Sequence, residues 1–410
     1  MFLNGEEMVD SLFEHYENLK WEFTYGHEDD PDRYNAIQVG LVAFFYIDQG
    51  WKKSKRQAVT EALALYHQYY GEHLKFGYFD NPNHSESYSS RTLVERKQQI
   101  LDKEDDAVEL SWGDSPSLSY VSNYKFEFFS LAGWYENVHK SVSYVCFYLP
   151  FEELKKQPKG EIEKLLVKFC DLLKPMHGFA GLGVQQCYES HEYQYIEYTI
   201  SHEFSGLDIS GGNNDKLLRG GFKSVNWITI LGDGLVSKLG GPAVLRKQND
   251  DDRIVFIPYQ GGVMFRAGEL PALGYVQTDP WPELYVKVNR LLNPVRAHKI
   301  DSLGYGSIAG EIRFNERTTQ EWLTRFDRAE DTQDRNASSP GSEEKRHITV
   351  ISGNMCRFSG LWVSVVNGET VYQELQQGFL APQYKNEKTS ENKDVVWTLL
   401  RRDDNGAVYE

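Results

Sequence analysis

Residues 37–45, IQVGLVAFF, constrain the fold more than any other stretch of the chain. Ile37, Val39, Leu41, Ala43 and Phe45 alternate onto one face of an extended segment, and Val42 and Phe44 make the other face apolar too. A strand that is apolar on both faces is stable only where both are covered, so it belongs inside a sheet with packed layers above and below.

The segments around it supply such layers. After Gly50, Val59, Ala62, Leu63, Tyr66 and Tyr70 recur at three- and four-residue steps and form one helical stripe. Ile162, Leu165, Leu166, Phe169, Leu172 and Leu173 form a second, closed by Pro175 and Gly178. Strand-like runs are expected at Tyr124–Phe129, in SVSYVCFYLP up to Pro150, and in YQYIEYTI at 193–200, whereas 101–117, LDKEDDAVELSWGDSPS, reads as a break. RIVFIPYQGGVMFRAG reads as a hairpin about its Gly-Gly step, and WPELYVKVNRLLNPV as a helix with Leu284, Val288, Leu291 and Leu292 inward.

This alternation predicts an α/β (α+β) protein with a mixed sheet and flanking helices. With 410 residues the chain exceeds the ~250–300 at which single cores stop growing, so more than one unit is expected. Residues 1–35 read as an N-terminal extension, 36–300 as the core domain, 301–346 as a connector with a charged linker, and 347–410 as a small β-rich appendage.

Forty-four basic residues against 60 acidic ones give a net charge of -16, which repels phosphate backbones and anionic lipid surfaces. Neither a nucleic acid nor a membrane is therefore an expected partner. The four cysteines, Cys146, Cys170, Cys187 and Cys356, form no C-x-x-C pair and fit a reduced interior. The acidic N-terminus lacks the basic start and apolar run of a secretory signal, and no stretch approaches the ~20 apolar residues of a membrane span. A cytoplasmic location is expected.

Candidate chemistry is sparse. CYESHEYQYIEYTISHEF gathers His191, His202 and several carboxylates, yet the H-E-x-x-H spacing is absent and the extended reading sends the two histidines to opposite faces. GFAGLG at 178–183 lacks the spacing of a phosphate-binding loop and reads as a flexible turn packed closely on a neighbour. Cys170 sits beside a helical core stripe, as a buried thiol would. In SVNWITILGDGLVSKLGG, Trp227, Ile228 and Ile230 read as a buried strand that turns at Gly232–Gly234 into a short helix. Asp233 is expected to cap that helix, Gly240-Gly241 to close it and Pro242 to prevent its continuation. No cofactor or metal site follows from these patterns. Acidity combined with 25 Tyr and nine Trp favours a binding protein over a catalyst.

VNWITILGDGLVSKLGGPAVLR, with HGFAGLG upstream and YQGGVMFRAGELPALGYVQTDPWPELYVKVNRLLNPV downstream, resembles the type VI secretion immunity protein family. Members carry a comparable N-W-L-x-x-L-G run, a following L-G-G, a Gly-Gly hairpin and a final helix ending in Pro. The similarity spans roughly residues 36–298. CRFSGLW and VVWTLL, near the end of the chain, are similar to a small β element of toxin and immunity proteins.

The resemblance implies a non-catalytic protein that neutralises one cognate toxin effector by direct contact, in the TsiT type a nuclease with a basic surface. No catalytic residue carries over. Contact residues are expected among acidic and aromatic loop positions: Asp105, Asp106, Trp112, Asp114, Asp250, Asp251, Asp252, Asp279 and Trp281. Homo-oligomerisation stays open, as do two rival functions. One is a metal-dependent hydrolase using the His191/His202 region, the other an adaptor that loads the effector.

Overall fold

A computed structural model describes residues 5–26, 35–188, 193–209, 216–304, 314–327, 348–366, 369–385 and 392–404. The chain divides into two compact units, Met1–Ala329 and Glu330–Glu410.

In the first unit the elements run α1 (Gly5–Leu19), β1 (Tyr25–Gly26), β2 (Asn35–Ile47), α2 (Lys53–Tyr70), β3 (Phe76–Phe79), β4 (Ser85–Ser87), α3 (Ser90–Asp102) and β5 (Val108–Gly113). There follow β6 (Lys125–Ser130), α4 (Gly133–His139), β7 (Ser143–Leu149), α5 (Glu153–Lys156), α6 (Glu161–Leu173), β8 (His177–Gln186) and α7 (Gln194–Glu203). The unit closes with β9 (Ile228–Gly232), α8 (Asp233–Lys238), α9 (Pro242–Gln248), β10 (Ile254–Tyr259), β11 (Gly262–Ala267), α10 (Glu283–Leu292) and α11 (Glu316–Leu323).

Among the described residues these strands form one sheet in the order β10-β11-β9-β8-β2-β7-β6-β5-β3-β4, with β1 added beside β2. Every ladder is antiparallel, so the expected mixed sheet is corrected and the class is α+β. β2 lies at the centre and is covered on both faces, as its sequence requires. On one face Phe45 stacks on Phe169 of α6 at 5.5 Å. On the other, Phe44 stacks on Phe179 at 5.3 Å and Tyr46 lies 4.7 Å from His177.

Several local expectations are overturned by packing. GFAGLG is the middle of β8, paired with β2 and β9, rather than a turn. A Cβ at Gly178 would stand 2.2 Å from the Phe44 carbonyl oxygen, and one at Gly181 2.0 Å from Asn226 Oδ1. The glycines admit neighbouring groups against the strand instead of bending it. Residues 194–203 form α7 rather than a strand, burying Gln194, Glu197, Tyr198 and Ser201 at helical steps. The break expected at 101–117 contains β5, whose neighbours β3 and β6 satisfy its backbone.

Gly232, not Asp233, is the N-cap of α8, and Asp233 is its first helical residue. Pro242 opens α9, where its missing N–H costs nothing. On α10 the fully buried side chains are Tyr285, Val286, Val288, Asn289 and Leu292, with Leu284 and Leu291 only half-covered. From the N-terminal segment, Tyr16 of α1 stacks on Phe151 at 4.0 Å. Past residue 300, Trp322 and Leu323 of α11 join the main core.

The second unit holds β12 (Thr349–Ile351), β13 (Gly360–Val366), β14 (Glu369–Leu375), β15 (Tyr384–Lys385), β16 (Asn392–Lys393) and β17 (Val396–Arg402). A four-stranded sheet, β12-β17-β13-β14, buries Trp362, Trp397 and Leu399 on one side. Positions 328–347, which include most of the charged linker, lie outside the described residues.

Candidate binding surfaces

The nine expected contact residues fall in four separate places. Asp105 and Asp106 are exposed in the α3–β5 turn, where Asp105 holds a left-handed φ of 68°. The Gly133 N–H donates to the Asp105 carbonyl at 2.9 Å, the Asp105 N–H donates to the Trp51 carbonyl at 3.3 Å, and buried Arg56 donates to the Asp106 carbonyl at 2.6 Å. These ties hold the turn through its backbone, with Asp105 Oδ1 near Gly133 and the Asp106 carboxylate within electrostatic reach of Arg56. Trp112 is not in a loop: it is a fully buried residue of β5, its ring edge-on to Tyr88, and presents nothing to a partner. Asp114, half-buried, accepts from the Tyr124 N–H at 3.3 Å and from Asn123 Nδ2 at 3.3 Å.

Asp250 and Asp252 are exposed before β10, but Asp251 between them is buried. Its carboxylate accepts from Arg253 Nη2 at 2.6 Å and from Lys287 Nζ at 2.8 Å, and the Arg253 hydrogen bonds hold it well below the usual carboxylate range. Asp251 is thus a structural ion-pair hub. Asp279 Oδ1 lies 2.7 Å from His15 Nε2 of α1 and Oδ2 accepts from the Tyr275 N–H at 2.9 Å, while Trp281 is 40% exposed with its ring edge-on to Phe326.

The candidate metal ligands around His191 and His202 are only partly among the described residues. His191 and Glu192 lie outside them, and His202 is exposed with Nδ1 2.8 Å from the Tyr198 carbonyl of its own helix. Within the described residues no three His, Cys, Asp or Glu side chains come together as metal ligands. All four cysteines are buried free thiols, and burial pushes Cys146 and Cys170 far from thiolate formation. A cleft of about 710 Å³ opens beside Leu154, Ile162, Trp227 and Leu270. Its charged rim is already paired, Lys155 with Asp10 at 2.5 Å and Lys159 with Glu269 at 3.0 Å.

Sequence reasoning missed α4. A surface helix ordinarily turns its apolar side inward, but α4 buries Gly133 and Glu136 and turns Trp134, Tyr135 and Val138 outward. Trp134 and Val138 are each 68% exposed. Glu136 is the anchor: Oε1 accepts from the Gln49 N–H at 2.6 Å and from Arg219 Nη2 at 2.7 Å. A seven-residue helix offers too few turns for its periodicity to be read, so the only signal was the GWYENVH composition itself.

The family of type VI immunity for VRR-NUC, TsiV, matches residues 58–326. The expected resemblance to type VI immunity proteins therefore stands, with TsiV in place of the TsiT type. Among solved structures, the Pseudomonas aeruginosa T6SS protein PA0821 is similar in fold at a TM-score of 0.69. It is 20% identical, and the match covers 82% of this chain and 98% of that one. No curated protein matched the sequence.

Proposed function

This chain belongs to the family of type VI immunity proteins for VRR-NUC, and on that premise we propose that it neutralises a cognate VRR-NUC nuclease by stoichiometric contact, without catalysis of its own. The observation that carries the reading is the family match across residues 58–326, which covers most of the first unit. The physical chemistry agrees with it. A nuclease must present a cationic groove to phosphates, and a chain of net charge -16 is attracted to such a groove over a Debye length. Occupying the groove excludes DNA.

The protein acts in the cytoplasm, where the nuclease would otherwise meet DNA, and no helix among the described residues is long and apolar enough to cross a membrane. The exposed residues Asp105, Asp106, Asp250, Asp252 and Trp281, with the half-buried Asp114 and Asp279, are the contact candidates from which recognition is assembled. Titrating purified protein into a DNA-cleavage assay of the VRR-NUC effector tests this: cleavage falls linearly and ends near one equivalent. Undiminished cleavage in excess protein, together with poor growth of cells co-expressing both, would refute the proposal. Co-purification without rescue of growth would instead identify an effector-loading adaptor.

A further inference from the structure

We propose that the outward face of α4, Trp134 and Val138 with Tyr135 beside them, is the apolar anchor that seats in the nuclease, and that Asp105 and Asp106 flank it as the charged rim. The inference rests on the nuclease-binding reading above and names where that binding occurs.

Four observations carry it. First, α4 is inverted. Its acid is buried and its large apolar side chains are in water, an arrangement that loses apolar burial in the free protein and regains it only when another surface covers the helix. Second, the inversion is held firmly. Glu136, 2% exposed, is bonded to Gln49 and Arg219, and Arg219 also donates to the Lys140 carbonyl at 3.0 Å and the Ser141 carbonyl at 2.9 Å, which ties down the end of the helix. The anchor is therefore preorganised, and docking loses little conformational freedom.

Third, the acidic loop is fixed to the same helix. A Cβ on Gly133 would stand 2.9 Å from the Trp51 ring and 3.0 Å from Asp105 Oδ1, so the Trp51 ring and a free carboxylate both lie against the first turn of α4. Fourth, two nearby cations are paired with other acids: Lys103 pairs with Asp80 and Lys55 lies 3.6 Å from Asp48, while Lys52 stays over the Trp51 ring at 5.4 Å. The exposed side chains of Asp105 and Asp106 accept no hydrogen bond among the described residues, and the buried Arg56 guanidinium acts electrostatically on Asp106 from within. An apolar centre with an acidic border fits a partner whose recess is apolar and whose edge is cationic, as the margin of a phosphate-binding groove is. A desolvated Trp in such a setting is the side chain most often found to dominate an interface.

The test uses the full chain and the purified VRR-NUC effector. Trp134→Ala and Val138→Ser should each leave the melting curve unchanged, because neither side chain supports the core. Trp134→Ala should raise the dissociation constant by about 30-fold or more, the size of a central aromatic anchor. Asp105→Lys with Asp106→Lys should slow association several-fold at low salt, a difference that shrinks at high salt. If wild-type protein binds and inhibits but Trp134→Ala does so within twofold of it, the anchor is elsewhere and this inference fails while the functional reading survives. If wild-type protein neither binds nor inhibits, the functional reading fails first. Self-association abolished by Trp134→Ala, with effector affinity unchanged, would assign the face to a second copy of the chain and likewise overturn the inference.

Discussion

Lys223 donates from Nζ to Asp208 Oδ1 at 2.8 Å, and both side chains are closed off from solvent. The ammonium also lies over the Phe179 ring at 5.4 Å and the Trp322 ring at 5.2 Å, so it joins the second face of the sheet to α11. Burial lowers the lysine's pKa and the neighbouring Asp208 carboxylate opposes that shift.

Removing one partner leaves a charge in a dry site. Asp208→Ala is expected to lower the unfolding free energy by about 3–5 kcal/mol, measured as a fall in the urea midpoint at constant slope. Asp208→Ala combined with Lys223→Met should recover most of that loss, because an apolar chain of similar length replaces the stranded ammonium. A double variant as unstable as the single one would show that the site needs more than charge balance.

His177 supplies a pH test. Its Nε2 lies 2.6 Å from the Leu218 carbonyl, and burial pushes its pKa down from 6.5 to about 4. Between these values the unfolded chain binds a proton that the folded chain refuses, so stability falls as pH drops from 6.5 towards 4 and is independent of this group above 6.5. The loss is on the order of 3 kcal/mol across that window. His177→Gln should flatten this part of the stability profile relative to wild type. Parallel profiles would mean that other groups set it.

The glycines of β8 are expected to be intolerant and that of α8 tolerant. Gly178→Ala drives a methyl into the Phe44 carbonyl oxygen, which a central strand cannot move, and should cost about 1–3 kcal/mol or more. Gly234→Ala meets nothing within 4 Å and lies in the first turn of a helix, so it should stabilise by ~0.4–1 kcal/mol. Equal melting temperatures for the two variants would contradict this account.

The three consecutive aspartates before β10 should separate. Asp251→Ala breaks the bonds to Arg253 and Lys287 and should lower stability by roughly 2 kcal/mol. Asp250→Lys and Asp252→Lys, at exposed positions, should leave the melting temperature within a degree or so of wild type. Any effect of these two on effector association would then report contact rather than unfolding.

Metal removal distinguishes the hydrolase reading. Dialysis against EDTA is expected to leave the melting temperature unchanged, and His202→Ala to leave effector affinity unchanged, since His202 bonds within its own helix. Stoichiometric zinc or manganese in the purified protein, with hydrolysis lost in His202→Ala, would support the enzyme instead.

Periodicity made β2, α2, α6, the β10–β11 hairpin and α10 legible, because each repeats its apolar positions over enough residues to reveal a face. The ordered motifs from His177 to Val295 carried the resemblance to the immunity family, while the acidity pointed only to a binding protein. Other features depended on what packs against a segment from far along the chain. Gly178 and Gly181 suit a central strand only because Phe44 and Asn226 approach them, and the Tyr-rich 193–200 run is a helix because its 3.6-residue set meets the core. Trp112 is buried although charged and turn-forming residues surround it in sequence, because β3 and β6 flank it. Asp251 faces inward because Lys287, 36 residues on, reaches it. Alternation and composition are local and were set by the residues themselves. Exposure belongs to a position only after distant segments have covered the rest, and so tertiary structure alone decided that α4 would show its tryptophan to solvent.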